Sequence, residues 1–419
     1  MTLLLLILLA SPADQLGFGS AGAAVGGAAM AEPQGATAAF YNPALAAARP
    51  GFEASLGWRY AAPRFSVNRI GQRLEAARAV DVGVLVPMTL ASLGRFGASL
   101  AVSMPDQRLL LTKVVPTDRP RFLMYDNRLQ RVSVDAGIAH ARQFGEVEVG
   151  LGAGASVLTG AAGSGTTFYL RQGGTYSQAD AAIDVELPVA MAPLVSVFVR
   201  WRDLSFGALY RGPLEFDLDV GIAAEINVGP LSGDLQTTLE SVDFYTPAKI
   251  VLGAAWQHES LSLFTALELH HWSGAPPLTA RWRTSVDFVG LPVEVPQGEP
   301  AAQTLRDVVV PRLGVEKRMA LGELSLAIRA GAYVAPTPLR PHSSTILLDA
   351  DRVGGSLGAG LTIADPLHIL SEPVSLDMHV ACETIRPRTF ASSGPTDLRP
   401  DLTIRGFLLS GGAALTLRF

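Results

Sequence analysis

The feature that most constrains this chain is a rhythm. Fourteen segments alternate apolar and polar residues with period two, and the connections between them are short and long in turn. In the first segment Phe52, Ala54, Leu56, Trp58 and Tyr60 share one face, while Glu53, Ser55, Gly57 and Arg59 share the other. The rest lie near 80–90, 95–105, 128–142, 146–158, 188–200, 203–216, 247–257, 260–272, 307–318, 323–334, 353–364, 373–386 and 403–419. Short connections are Ala91 to Gly94, Gln143 to Gly145, Trp201-Arg202, His258-Glu259, Met319 to Gly322 and Asp365 to Glu372. Long ones run near 62–79, 106–127, 159–187, 217–246, 273–306, 335–352 and 387–402. A soluble β-sandwich has no reason to keep that rhythm through seven hairpins. A transmembrane barrel does, because it has an even strand number, tight turns on one side and longer loops on the other.

The last seven residues agree. Ala413, Leu415, Leu417 and Phe419 fall on one face and Ala414, Thr416 and Arg418 on the other, which is the pattern of a strand between lipid and a polar lumen. Charged residues make up 17% of the 419 positions, too many for helical spans, but a barrel strand needs an apolar residue only at every second place. The longest apolar run, Leu3 to Ala10, is far short of the roughly 20 residues of a spanning helix. A net charge of −5 argues against a nucleic-acid partner. The single cysteine, Cys382, excludes an internal disulfide framework and any multi-cysteine metal site.

Leu3 to Ala10 followed by Ser11-Pro12-Ala13 reads as a signal peptide cleaved after Ala13, although no basic residue precedes the apolar run. Residues 14–48 lack alternation and are dense in Gly and Ala. The domain plan is therefore a signal peptide at 1–13, a separate N-terminal segment at 14–48 and a barrel over 49–419.

Residues 17–48 contain Phe40-Tyr41-Asn42-Pro43-Ala44 just before the first barrel strand. Further along come Phe206-Gly207-Ala208-Leu209-Tyr210-Arg211, then Thr246-Pro247-Ala248 leading to Leu252-Gly253-Ala254-Ala255-Trp256. Trp272, Ile328-Arg329-Ala330-Gly331-Ala332-Tyr333 and Leu348-Asp349-Ala350-Asp351-Arg352 follow in order. Collinear along nearly the whole mature chain, these motifs resemble those of the FadL/TodX family of outer-membrane transporters for long-chain fatty acids and other hydrophobic compounds. Leu348 departs from the family's frequent proline, and the long loops show no alignable match.

The resemblance implies an all-β protein: a 14-stranded antiparallel transmembrane β-barrel in the bacterial outer membrane, with an N-terminal hatch plugging the lumen. It also implies a monomer that meets outer-membrane lipid and lipopolysaccharide and needs no cofactor. Hydrophobic compounds would be taken up passively, captured on outward loops and released through a kinked third strand. On this reading Phe168, Tyr169, Leu235, Leu239 and Phe244 are loop capture residues, and Gly97 and Pro105 are candidates for a lateral exit. Leu231, Leu235, Leu239 and Val242 fall at roughly helical spacing, which predicts an amphipathic helix over 231–244.

Strand parity turns Glu53, Arg59, Asp135, Glu148, Arg211, Glu268, Arg312, Arg329, Asp377 and Glu383 into the lumen. The plain reading is an ion-pair network holding hatch and wall. The sharper one has Arg59, Arg211, Glu268 or Arg329 orienting a ligand, with an arginine on its carboxylate. No enzyme is expected. His270 and His271 face opposite ways and cannot share a metal, Ser375 with His379 lacks the elbow of a hydrolase, and Gly150 to Gly154 lies within an alternating strand. Two alternatives remain: a barrel that anchors a surface or secretion machine without transporting, and a general diffusion porin, which the bulk of a hatch opposes.

Overall fold

The computed structural model describes residues 8–9 and 16–419 except 33–34, 91–93, 107–120, 125–130, 160–161, 165–168, 173–174, 179–183, 187–188, 229–230, 277–280, 289–290, 294–304, 341–346, 365–371 and 392–400; within 159–186, 217–244 and 281–293 only backbone is described. Fourteen antiparallel strands run in chain order: β1 (Glu53–Val67), β2 (Ala77–Leu90), β3 (Gly94–Pro105), β4 (Ser133–Phe144), β5 (Val147–Thr159), β6 (Val189–Trp201) and β7 (Leu204–Arg211). They continue with β8 (Lys249–His258), β9 (Leu261–His270), β10 (Val308–Leu321), β11 (Leu324–Ala335), β12 (Arg352–Ile363), β13 (Val374–Phe390) and β14 (Leu402–Arg418). Each pairs with its neighbours in sequence, and β1 pairs with β14 from Glu53 opposite Arg418 to Val67 opposite Ile404, so the sheet closes and leaves no edge. Every segment read from the sequence overlaps its own barrel strand.

The side with short connections is built from tight hairpins. Gly145, Arg202, Glu259 and Gly322 take positive φ of 59°, 53°, 50° and 67°, the left-handed conformation that matches a tight turn to the twist of its strands. Phe144, Trp201, Trp256 and Phe419 project outward near these ends, an aromatic girdle at one membrane interface. Above it the outer wall is apolar, with Leu56, Ile138, Leu151, Leu313, Leu357 and Val380 all exposed. In water this would be an aggregating surface, whereas in a bilayer it is the lipid face.

Residues 16–32 and 35–48 run inside the lumen, with α1 (Ser20–Ala24), α2 (Ala38–Tyr41) and two 3₁₀ turns, Gly35–Thr37 and Pro43–Ala48. Such short helices have no stability of their own, so the wall must hold them. It does so by close backbone approach. A Cβ at Gly97 would lie 2.4 Å from the Ala46 carbonyl carbon, one at Gly152 2.5 Å from Ala44 N, and one at Gly331 2.1 Å from Gly26 N.

Two expectations change. The segment 231–244 is not a helix: Leu231–Thr246 is a strand, antiparallel to Leu214–Val228 and, on its other side, to Arg281–Phe288. Leucines four apart satisfy a period of two as well as 3.6, and the intervening Thr237-Thr238 is β-branched, which favours strand. Gly97 and Pro105 do not break the third strand. β3 pairs without a register shift with β2 from Gly94 to Pro105 and with β4 from Arg95 to Ser103, and Gly97 is a seat for the hatch.

Leu8–Leu9, within the segment read as a signal peptide, pairs in parallel with Phe244–Tyr245. Cleavage after Ala13 stands as a proposal, tested by N-terminal sequencing of the membrane-inserted protein.

Candidate functional site

The hatch turns on Asn42, which is fully buried. Its Nδ2 donates to the Met30 and Val197 carbonyls, both at 3.3 Å, and its Oδ1 accepts from Ala44 N at 3.2 Å, capping the turn that Pro43 begins. Ser196 Oγ of β6 also accepts from Ala44 N, at 2.9 Å. Phe40 stacks on Phe18 with ring centroids 5.5 Å apart. The Tyr41 hydroxyl accepts from Phe18 N at 3.1 Å, and burial pushes its pKa up to about 12.

Below the hatch, toward the short turns, charge dominates. Glu32 lies 2.7 Å from Arg49 and 2.8 Å from Arg200 of β6. Burial alone would raise its pKa, but the attraction of Arg49 and Arg200 outweighs this and holds it below the ordinary 4.5. Arg200 also meets Glu148 at 2.9 Å, and Glu53 accepts from Ala36 N at 3.2 Å. Arg329 is clamped between Glu316 and Asp377, the latter at 2.6 Å. Its guanidinium is thus engaged by two wall carboxylates. Arg59 bonds Asp81 at 2.8 Å and Ser103, and donates to the Gly17 carbonyl of the hatch. These residues border or overlie a vestibule of about 560 Å3 between α1 and the periplasmic rim, lined by Gly22, Val25, Glu32, Arg49, Arg329 and Arg418 among others.

Above the hatch the character changes. A cavity of about 40 Å3 is lined by apolar residues such as Met124, Trp272 and Val310 together with Arg211, Lys249, Arg312, Arg352 and one carboxylate, Glu383. Arg211 Nη2 donates to the Phe40 carbonyl at 3.1 Å, and its guanidinium carbon lies 4.9 Å from the Phe40 ring centroid. Lys249 Nζ is 5.6 Å from the same ring. Arg312 bonds Glu268 at 2.7 Å and donates to the Gly26 carbonyl at 2.9 Å, while Tyr333 donates to Glu383 at 2.6 Å. A second cavity of about 30 Å3, between hatch and wall, is lined by Phe40, Tyr41, Met30, Lys249, Glu268 and Arg312.

Over these cavities lies an apolar lid. Phe122, Leu123, Met124, Trp272, Leu339 and Leu348 are buried there with Phe65, Ile385 and Ile404 of the wall. Leu347–Leu348 pairs in parallel with Arg121–Phe122, tying two loops together across the mouth. The lid is locked by polar bonds. Thr337 Oγ1 donates to Asp349 at 2.7 Å, and Arg388 donates to the Asp349 carbonyl at 3.1 Å. Burial raises the Asp349 pKa against the opposing pull of Arg352.

Of the candidates read from the sequence, Arg211 and Glu268 border the upper cavities, whereas Arg59 joins hatch to wall and Arg329 is held within the wall. Phe168 lies outside the described residues. Tyr169 falls in a short hairpin (Tyr169–Gln172 with Thr175–Gln178), and Leu235, Leu239 and Phe244 lie in the strand Leu231–Thr246. Lys249, Trp272, Tyr333 and Arg352 were not singled out as ligand residues. Strand parity would have turned Lys249 inward beside Arg211, its partner in the β7–β8 register. His270 bonds Glu268 at 3.0 Å and His271 bonds Asp307 at 3.1 Å, while Ser375 bonds Thr362 at 2.9 Å and Arg418 at 3.2 Å.

Fourteen strands, an apolar belt and a lumen closed by the chain's own N-terminal segment make this a plugged transmembrane β-barrel. No model of a known protein family matches the sequence, and no curated protein matches it. Solved structures do. A Pseudomonas aeruginosa FadL homologue is 14% identical over 95% of this chain and 97% of its own, with a TM-score of 0.57. The CymD monoaromatic hydrocarbon channel is 15% identical over 98% and 99% (TM-score 0.54). The Pseudomonas putida toluene transporter TodX is 15% identical over 99% and 100% (TM-score 0.52). At these identities the likeness is one of fold.

Proposed function

We propose that the protein admits hydrophobic small molecules, such as long-chain fatty acids or aromatic hydrocarbons, across the outer membrane by passive diffusion. The observation that carries this reading is the amphipathic cavity set between an apolar lid and the hatch. A hydrophobic ligand gains about 25 cal/mol per Å² of apolar surface buried, which the lid can supply. Arg211, Lys249, Arg312 and Arg352 would orient a polar end, a carboxylate above all. The functions named for CymD and TodX support the same reading.

At about 40 Å3 the cavity is well below the roughly 300 Å3 of a typical ligand pocket. A ligand of ordinary size would therefore enter only if the lid or the hatch moved. Tyr169, Leu235, Leu239 and Phe244, on the extracellular hairpins, are proposed to make first capture. Lateral release beside Gly97 and Pro105 would need β3 to unpair locally, because its ladder is intact here. The test is reconstitution into liposomes with paired tracers, a labelled fatty acid or toluene against a sugar of similar mass. Faster entry of the hydrophobic tracer alone is expected. Equal acceleration of both, or of neither, would reject selective uptake.

A further inference from the structure

The lipid-facing wall is not uniform around its circumference. Near the extracellular ends of most strands the outward residue is apolar, as at Met191, Tyr210, Ile250, Leu269, Val309 and Val353. Across β13, β14, β1 and β2 it is arginine: Arg386, Arg405, Arg64 and Arg78, all exposed. These four contiguous strands are also among the longest in the barrel.

The register brings the arginines together. Arg405 stands opposite Ser66, which places Arg64 on the same face as its diagonal neighbour, about 7–8 Å away. On the other side Ile385 stands opposite Gly406, and a bulge follows between Ile385 and Arg388. The bulge keeps Ile385 and Arg388 on the lumen side and leaves Arg386 outside, next to Arg405. Arg78 stands opposite Tyr60, with its guanidinium carbon 5.7 Å from that ring's centroid. Among the described residues none of the four makes a salt bridge. Three like charges held this close repel unless an anion joins them.

Their height is that of a headgroup. Each lies about 12 residues from the periplasmic end of its strand, or ~40 Å along the strand and ~30 Å along the membrane normal at the usual tilt, just above an apolar band about 25 Å tall. Lower on the same strands the outward face carries Trp58, Phe407, Leu409, Val380 and Met378, all exposed and apolar. The complementary partner is a lipid with several acyl chains and more than one phosphate. We propose that this sector of the wall, centred on Arg64, Arg386 and Arg405, is a docking site for the phosphorylated lipid A moiety of lipopolysaccharide. Guanidinium groups bind phosphate bidentately, and basic clusters at the interface are a general means of recognising anionic lipids. The proposal rests on the outer-membrane reading of the barrel.

The test uses the full protein in neutral detergent, with native mass spectrometry against bis-phosphorylated lipid A and lipid A stripped of its phosphates. Wild type should retain the phosphorylated form selectively. The combined variant Arg64→Gln, Arg386→Gln, Arg405→Gln should bind about 100-fold more weakly, from the usual interfacial contribution per basic residue. The matching Lys variant should keep much of the affinity, and Arg142→Gln on the periplasmic side should keep all of it. Equal binding by wild type and the Gln variant, or equal binding of both lipids, would overturn the proposal. Heat-modifiable mobility and insertion into phosphatidylcholine nanodiscs report folding and the barrel itself, separately from any loss of lipid A.

Discussion

The two halves of the lumen are held by different chemistry. Below, the hatch is seated by ion pairs and backbone contact, Glu32 to Arg49 and Arg200, Glu53 to the turn at Ala36, and Gly331 against Gly26. Above, the mouth is closed by side-chain packing of Phe122, Leu339, Leu348 and Trp272, with a few polar ties at Asp349. The two halves divide the labour. Directional bonds fix where the plug sits. Apolar packing is non-directional, and a hydrophobic guest can replace it with little loss.

The largest break in this contrast should come from the close approaches. Gly331→Leu puts a side chain where even a Cβ would lie 2.1 Å from the hatch backbone, so the barrel should misassemble or insert with its plug displaced. Planar-bilayer conductance should rise severalfold, while Gly71→Ala, at a position with nothing within 4 Å, should leave it unchanged. Wild-type conductance in the Gly331→Leu protein would mean that the hatch is not seated there.

Next come the ion pairs. Glu32→Gln strips the carboxylate from Arg49 and Arg200; because both arginines are partly solvated, the loss is discounted to about 1–2 kcal/mol. It should appear as faster protease access to the hatch.

Acid should separate the halves without mutation. Glu32 has a folded pKa below its ordinary 4.5, so its contribution is present above that value and is lost as pH falls through the folded pKa. Asp349 is shifted the other way, above its ordinary 3.8. Its contribution is fully present below 3.8 and is lost as pH rises through the folded pKa. Hydrogen exchange between pH 7 and pH 3 should therefore show the region around Glu32 loosening while the Asp349 loop tightens. Parallel changes would erase the distinction.

Tyr41→Phe should have the smallest effect. It removes one buried hydrogen bond within the hatch, about 1 kcal/mol, and thermal unfolding should shift only slightly.

The barrel was legible because a strand between lipid and a polar lumen must alternate, and nothing else in the chain alternates fourteen times. Inward charges such as Arg59, Arg211 and Glu383 followed from parity alone and are all buried. The outward loops were not legible in the same way. Leu231, Leu235 and Leu239 fit both helix and strand, and only pairing with 214–228 decides between them. Gly97 was ambiguous for a related reason: a strand glycine can mark a break or a close approach, and the approaching partner, Ala46, is 51 positions away in the sequence. Trp272 joins the site only because the barrel closes around the hatch, whereas Lys249 follows from strand parity beside Arg211.

The most direct test of ligand binding above the hatch is native mass spectrometry, with lipid extraction, on protein purified from outer membranes in mild detergent. Wild type should carry a fatty acid or hydrocarbon that is lost from Arg211→Ala, Lys249→Ala and kept by Arg329→Ala, with heat-modifiable mobility reporting that each variant is folded. An empty wild-type barrel under all extraction conditions, or one holding a stoichiometric protein partner instead, would contradict it.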